Sequence, residues 1–113
     1  MKLDEYQEKI VKYDAFKASG KVSEPGFVAK ILGLCGESGE VAEKFKKIIR
    51  DKNGELSEEA KGEIVKELGD VLWYVTTLAR YMNVSLEEVA EKNIEKLQSR
   101  LERDVLHGAG DNR

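Results

Sequence analysis

The sequence has very little of the residue types that make simple sites. Cys35 is the only cysteine, so no intrachain disulfide can form and one chain cannot build a cysteine-based zinc site. A reducing compartment fits that usage. There is a single histidine, His107, which limits the options for imidazole catalysis or ligation. Pro25 is the only proline, so nothing interrupts long helices once they start. No run approaches the ~18 uninterrupted apolar residues of a membrane span. The opening Met1-Lys2-Leu3-Asp4-Glu5-Tyr6 lacks the apolar stretch of a signal peptide. A basic excess is also missing: 19 Lys and Arg against 22 Asp and Glu leave a net charge of −3, which argues against a nucleic-acid polymer as partner. These absences predict a cytoplasmic protein with no membrane segment.

What is present is helical signal. The 113 residues are 41% hydrophobic and 36% charged, enough apolar content for one domain spanning 1–113 but a modest core. Leu3, Tyr6, Ile10, Tyr13 and Phe16 recur at helical spacing and predict a first helix over residues 3–18. Residues 21–26 form a connection, with Pro25 suited to a first helical turn. A second helix is expected over 27–50, ending at Asp51-Lys52-Asn53-Gly54. Ser57 can cap a third, running to Tyr81 or Met82, with Ile64, Leu68, Val71, Val75, Leu78 and Met82 as its apolar stripe. Ser85 and Glu88 make a capping box for a fourth, running to about Leu106. No strand pattern or repeat is visible. The fold class expected is all-α, an antiparallel helical bundle of about four helices completed by oligomerisation.

Acidic residues at one spacing separate this chain from an ordinary bundle. Glu37 and Glu40 stand three apart on the second helix, and Glu67 and Asp70 three apart on the third. Residues three apart share a helix face. If the two helices form a hairpin, the pairs can converge. Glu67 and Asp70 flank the apolar stripe and should be partly buried. Four uncompensated carboxylates repel and raise one another's pKa values, which a hard cation relieves. Oxygen-only ligands favour Mg²⁺, with Mn²⁺ as a substitute. The plain alternative is solvated surface charge. Gly33, Gly36, Gly39, Gly62 and Gly69 fall within helices, each at a cost of about 1 kcal/mol relative to Ala. Either close helix packing or room for a ligand explains them.

The stretch Leu34-Cys35-Gly36-Glu37-Ser38-Gly39-Glu40-Val41-Ala42-Glu43, followed by Glu67-Leu68-Gly69-Asp70-Val71-Leu72-Trp73-Tyr74, resembles the MazG-type nucleotide pyrophosphohydrolases. Lys92-Asn93-Ile94-Glu95-Lys96-Leu97 and the two termini add to the likeness. The resemblance implies an all-α fold and Mg²⁺ dependence. It also implies homodimers or homotetramers whose packed helices complete the site, and cleavage of a nucleoside triphosphate into monophosphate and pyrophosphate. Glu37, Glu40, Glu67 and Asp70 would carry over as metal ligands, with Glu37 or Glu40 taking a proton from water. Asn93, Lys96 and Arg100 share a face of the fourth helix and are the candidates for holding phosphate, with Lys44 and Lys47 behind them. Trp73 either stacks on a base or packs against a second subunit. Gln7 and Tyr6 either reach a nucleotide or serve the fold. Asp111 and Arg113 either close over substrate or belong to a frayed end. The rival readings are a non-enzymatic helical dimerisation module and a metal-dependent nucleotide binder without turnover.

Overall fold

The computed structural model describes residues 1–104 together with Gly108, Gly110 and Asp111. It is all-helical, with no strand among the described residues: α1 (Leu3–Lys9), a 3₁₀ turn (Ile10–Tyr13), α2 (Pro25–Lys52), α3 (Glu58–Tyr81) and α4 (Leu86–Glu102). The long α2–α3 hairpin forms the frame, and α1 packs on α4 beside it. No described helix is long and apolar enough to cross a membrane.

Boundaries with local causes fall where expected. Pro25 occupies the first turn of α2, where its missing N–H costs nothing. Asn53 closes α2 in the left-handed conformation (φ 52°), and Gly54 N–H returns to the Ile48 carbonyl at 3.1 Å. Ser57 Oγ accepts from Ala60 N–H, and Ser85 Oγ from Glu88 N–H, each at 3.1 Å. The Gln7 side-chain oxygen accepts from Leu86 N–H at 2.8 Å, tying α1 to the start of α4.

The first helix is shorter than expected. It tightens to a 3₁₀ turn and ends at Tyr13, because Asp14 is drawn inward in an extended conformation (φ −88°, ψ 91°). Its buried carboxylate accepts from the Tyr81 hydroxyl and pairs with Lys30 Nζ at 3.0 Å. Lys30 Nζ also donates to the Phe16 carbonyl at 2.7 Å. The chain is thereby pressed onto α2 so closely that a Cβ on Gly26 would lie 2.7 Å from the Lys17 carbonyl oxygen. Burial alone would raise the Asp14 carboxyl, but the Tyr81 and Lys30 hydrogen bonds and the Lys30 charge outweigh it and hold it below the carboxylate range. At the other end of the chain α4 stops at Glu102 rather than near Leu106, and Asp104 turns left-handed (φ 57°). Leu106 and His107 lie outside the described residues.

The apolar stripes are also only partly used. Ile10, Phe27, Ile48, Ile64, Ala79 and Leu86 are buried, but Leu32 is 66% exposed, Ile49 69%, Val65 61% and Ile94 67%. On α3 it is the mixed stripe of Glu67, Asp70, Tyr74, Thr77 and Tyr81 that faces α2, while Leu68, Leu72 and Met82 remain exposed. Asp70, expected to be partly buried, is exposed, and so is Cys35. The radius of gyration, 16.8 Å, exceeds the ~13 Å of a compact domain this size.

Candidate metal centre

Two turns along the hairpin from the Asp14 pair, α2 and α3 bring three of the four acids together. Glu37, Glu67 and Asp70 each offer a carboxylate oxygen, and these atoms all lie within 4.8 Å of one another. Glu37 and Glu67 are half-buried and Asp70 is exposed. The i, i+3 spacing stacks Glu67 over Asp70 on one face of α3, and the antiparallel register sets Glu37 opposite them. Glu40, one turn on from Glu37, is exposed and is not part of that convergence. Among the described residues no other group of acids, cysteines or histidines comes together this way.

The electrostatics are those of an uncompensated site. None of the three acids hydrogen-bonds or ion-pairs with another described residue. The nearby basic residues are used elsewhere: Lys66 pairs with Glu63 at 3.4 Å, and Lys46 with Glu43 at 2.9 Å. The Glu37 carboxyl is raised above its ordinary range, first by burial and then by the charges of Asp70, Glu67 and Glu40. The Tyr6 hydroxyl is raised as well, by burial and then by the charge of Asp70. Oxygen-only donors, converging and without a cationic partner among the described residues, fit a hard divalent ion.

The remaining candidates fall into separate groups. Arg100 is buried. Its Nη2 donates to the Asp111 carbonyl at 2.7 Å and lies 3.3 Å from the Asp111 carboxylate, which Lys96 approaches at 3.4 Å. The Asp111 carboxyl is held below its ordinary range by the Arg100 hydrogen bond and the Lys96 charge. Asn93 is exposed on the same helix. Trp73 is half-buried, edge-on to Tyr74 (centroids 4.9 Å apart, planes at 85°), with its indole N–H buried and without a partner among the described residues. Gln7 has its amide oxygen committed to α4. Lys44 and Lys47 line a cavity of about 910 Å³ at the α2–α3 turn, with Glu63 on its wall. Arg113 lies outside the described residues. Sequence reasoning gave Tyr74 no role, although it stands one turn beyond Asp70 on the same face of α3.

The MazG nucleotide pyrophosphohydrolase domain matches residues 28–104, which contain all four acids and all of α3 and α4. The chain is 51% identical over 82 residues to the Gene 37 protein of Mycobacterium phage L5, covering 73% of this chain and 72% of that protein. It is 35% identical over 85 residues to the uncharacterized protein YvdC of Bacillus subtilis (strain 168), covering 71% and 80%. No solved structure matches. With the domain match spanning most of its length and its central acids converged, the chain belongs to the MazG nucleotide pyrophosphohydrolase family.

Proposed function

We propose that this chain, as one domain over 1–113, is a cytoplasmic Mg²⁺-dependent pyrophosphohydrolase of nucleoside triphosphates, dNTPs foremost. It would cleave between the α- and β-phosphates to give a monophosphate and pyrophosphate. The observation that carries this reading is the convergence of Glu37, Glu67 and Asp70 within 4.8 Å, none of them ion-paired among the described residues. Glu37, Glu67 and Asp70 would hold the ion, which when bound supplies charge neutralisation for the phosphates and acidifies water. Glu40, expected from sequence as a fourth ligand, stands beside the three rather than among them and is the group left free to accept a proton. As it does so, the water oxygen bonds to phosphorus and the bridging P–O bond to pyrophosphate breaks.

Positioning and charge compensation dominate phosphoryl chemistry, so the chain needs cations of its own as well. Lys96 and Arg100 are a pair already arranged around an anion, the Asp111 carboxylate, which stands where phosphate oxygens would bind. Asn93 and Arg113 would extend that grip. Trp73 and Gln7 are assigned to the nucleoside side, Trp73 through its buried indole N–H. The exposed apolar stripes of α2, α3 and α4 suit a second copy, as homodimer or homotetramer. Sedimentation at micromolar concentration should give a mass above that of one chain.

Pyrophosphate release from a panel of canonical and modified dNTPs and NTPs, with Mg²⁺ and then with EDTA, tests the reading. Release with Mg²⁺ and none with EDTA is expected. Nucleotide binding without release on any substrate would leave a binding protein. Neither binding nor release would leave a dimerisation module.

A further inference from the structure

The acids converge because α2 and α3 hold one spacing and one register, and one very close contact between the two helices lies beside the acids. Phe27 meets Tyr81 at one end, with ring centroids 5.4 Å apart. Next along the pair, the Tyr74 ring lies directly on the backbone of Gly33. A Cβ built on Gly33 would be 2.2 Å from Tyr74 Cε1, 2.4 Å from Cζ and 2.8 Å from the hydroxyl oxygen. Gly33 is one turn before Glu37, and Tyr74 is one turn beyond Asp70. The contact therefore lies about 6 Å along each helix from Glu37 and Asp70. Trp73 stands edge-on to the same ring, with centroids 4.9 Å apart. The Tyr74 hydroxyl makes no hydrogen bond among the described residues, so the contact with Gly33 is one of packing. Gly36 and Gly69, beside the same acids, have nothing within 4 Å. Of the glycines flanking the cluster, Gly33 alone has an occupant.

We propose that Gly33 and Tyr74 are positioning residues: the ring seated on bare backbone fixes the α2–α3 spacing that brings Glu37 to Glu67 and Asp70. The proposal rests on the metal-site reading. A ligand set tolerates displacements of only about 0.5 Å. A methyl group on Gly33 would force the ring or the helix to move by about 1 Å or more to reach ordinary contact.

The test is Mn²⁺ titration by calorimetry on the full chain, with thermal unfolding in parallel. Gly33→Ala should weaken Mn²⁺ binding about tenfold or more, in line with the loss of other groups that orient ligands. Tyr74→Phe, which keeps the ring, should retain the wild-type affinity. Adding Tyr74→Leu to Gly33→Ala should recover most of the loss, because the methyl then has space. A purely structural role would lower the melting temperature and leave the affinity of the folded protein unchanged, so Gly33→Ala binding within twofold of wild type overturns the proposal. Should Gly33→Ala fail to fold, Tyr74→Ala decides: about tenfold weaker binding supports the proposal, and wild-type affinity overturns it. If the wild type itself binds no Mn²⁺, the metal-site reading falls and takes this inference with it. If the wild type binds and the variants match it, this inference alone fails.

Discussion

The α2–α3 hairpin carries two charged clusters about two turns apart, and they are built on opposite terms. Asp14, Lys30 and Tyr81 form a buried set in which the carboxylate meets a cation and a hydroxyl of the same chain. Glu37, Glu67 and Asp70 form a half-open set of like charges with no ion-pair partner among the described residues. Desolvating a charge is tolerable only when its compensation is folded in with it. The first cluster meets that condition and ties the segment after α1 to the hairpin. The second does not, and stays open to solvent from which a cation can come. Where the neutralising charge resides, inside the chain or outside it, separates a structural cluster from a functional one.

The largest effect should come from breaking the compensated cluster. Asp14→Asn or Lys30→Met leaves one buried charge without its partner and should cost about 3–5 kcal/mol, read from urea unfolding. A loss below about 1 kcal/mol would mean the pair is surface-like and the contrast fails. The pH dependence has a definite sign. The folded Asp14 carboxyl is held below its unfolded value by Tyr81 and Lys30, with Arg80 adding its charge. Its contribution is therefore complete above about pH 4, the unfolded carboxylate value, and is lost as pH falls through the lower folded value. Lys30, held above its ordinary value by Asp14, contributes below about pH 10 and loses that contribution as pH rises through its folded value. The stability difference between wild type and Asp14→Asn should shrink on acidification. A difference independent of pH would remove the ion pair from the account.

The uncompensated cluster should respond in the opposite way. Glu37→Gln and Asp70→Asn should lower Mn²⁺ or Mg²⁺ affinity at least about a hundredfold, roughly 2.7 kcal/mol, and abolish turnover. Stability without metal should stay within about 0.5 kcal/mol of wild type or rise, since repulsion is relieved. Glu40→Gln should abolish turnover while keeping the metal, because Glu40 lies outside the converged three. If Glu40→Gln loses metal as Glu37→Gln does, it is a ligand and the proton acceptor must be sought elsewhere.

Saturating Mg²⁺ turns the comparison into one measurement. At a hundred times its dissociation constant an ion bound only by the folded state adds about 2.7 kcal/mol. Wild type should gain about that much and Glu37→Gln almost nothing. Equal gains in both would place the ion somewhere other than this cluster.

How much of this was legible depends on whether the cause is local. Pro25, Ser57 and Ser85 act on the turn they belong to, so the starts of α2, α3 and α4 could be read from the chain. The end of α1 could not, because Asp14 leaves the helix for Lys30 and Tyr81, which lie far along the sequence. The acid pairs were visible in their i, i+3 spacing. Which three of the four converge depends on the register between two helices, which Tyr74 seated on Gly33 marks and no single-helix pattern contains. The apolar stripes were visible too, but they misled as a guide to the core. On α3 the face that meets α2 is the mixed one, and much of the apolar face is left exposed.

A third cluster sharpens the rule through the smallest effect. Asp111 is compensated, like Asp14, by Arg100 and Lys96, but its side chain is 84% exposed. Compensation without burial should contribute little to the fold, because solvent already screens the carboxylate. Asp111→Ala should therefore change stability by less than about 1 kcal/mol in urea unfolding. The effect should appear in substrate binding instead. On the proposed reading phosphate displaces the Asp111 carboxylate to reach Lys96 and Arg100, so removing it should lower KM for a triphosphate a few-fold, equivalent to under about 1 kcal/mol. A raised KM would mean that Asp111 helps hold the substrate and is not a placeholder for it. A stability loss comparable to that of Asp14→Asn would show that exposure does not discriminate between these pairs, and burial would drop out of the comparison.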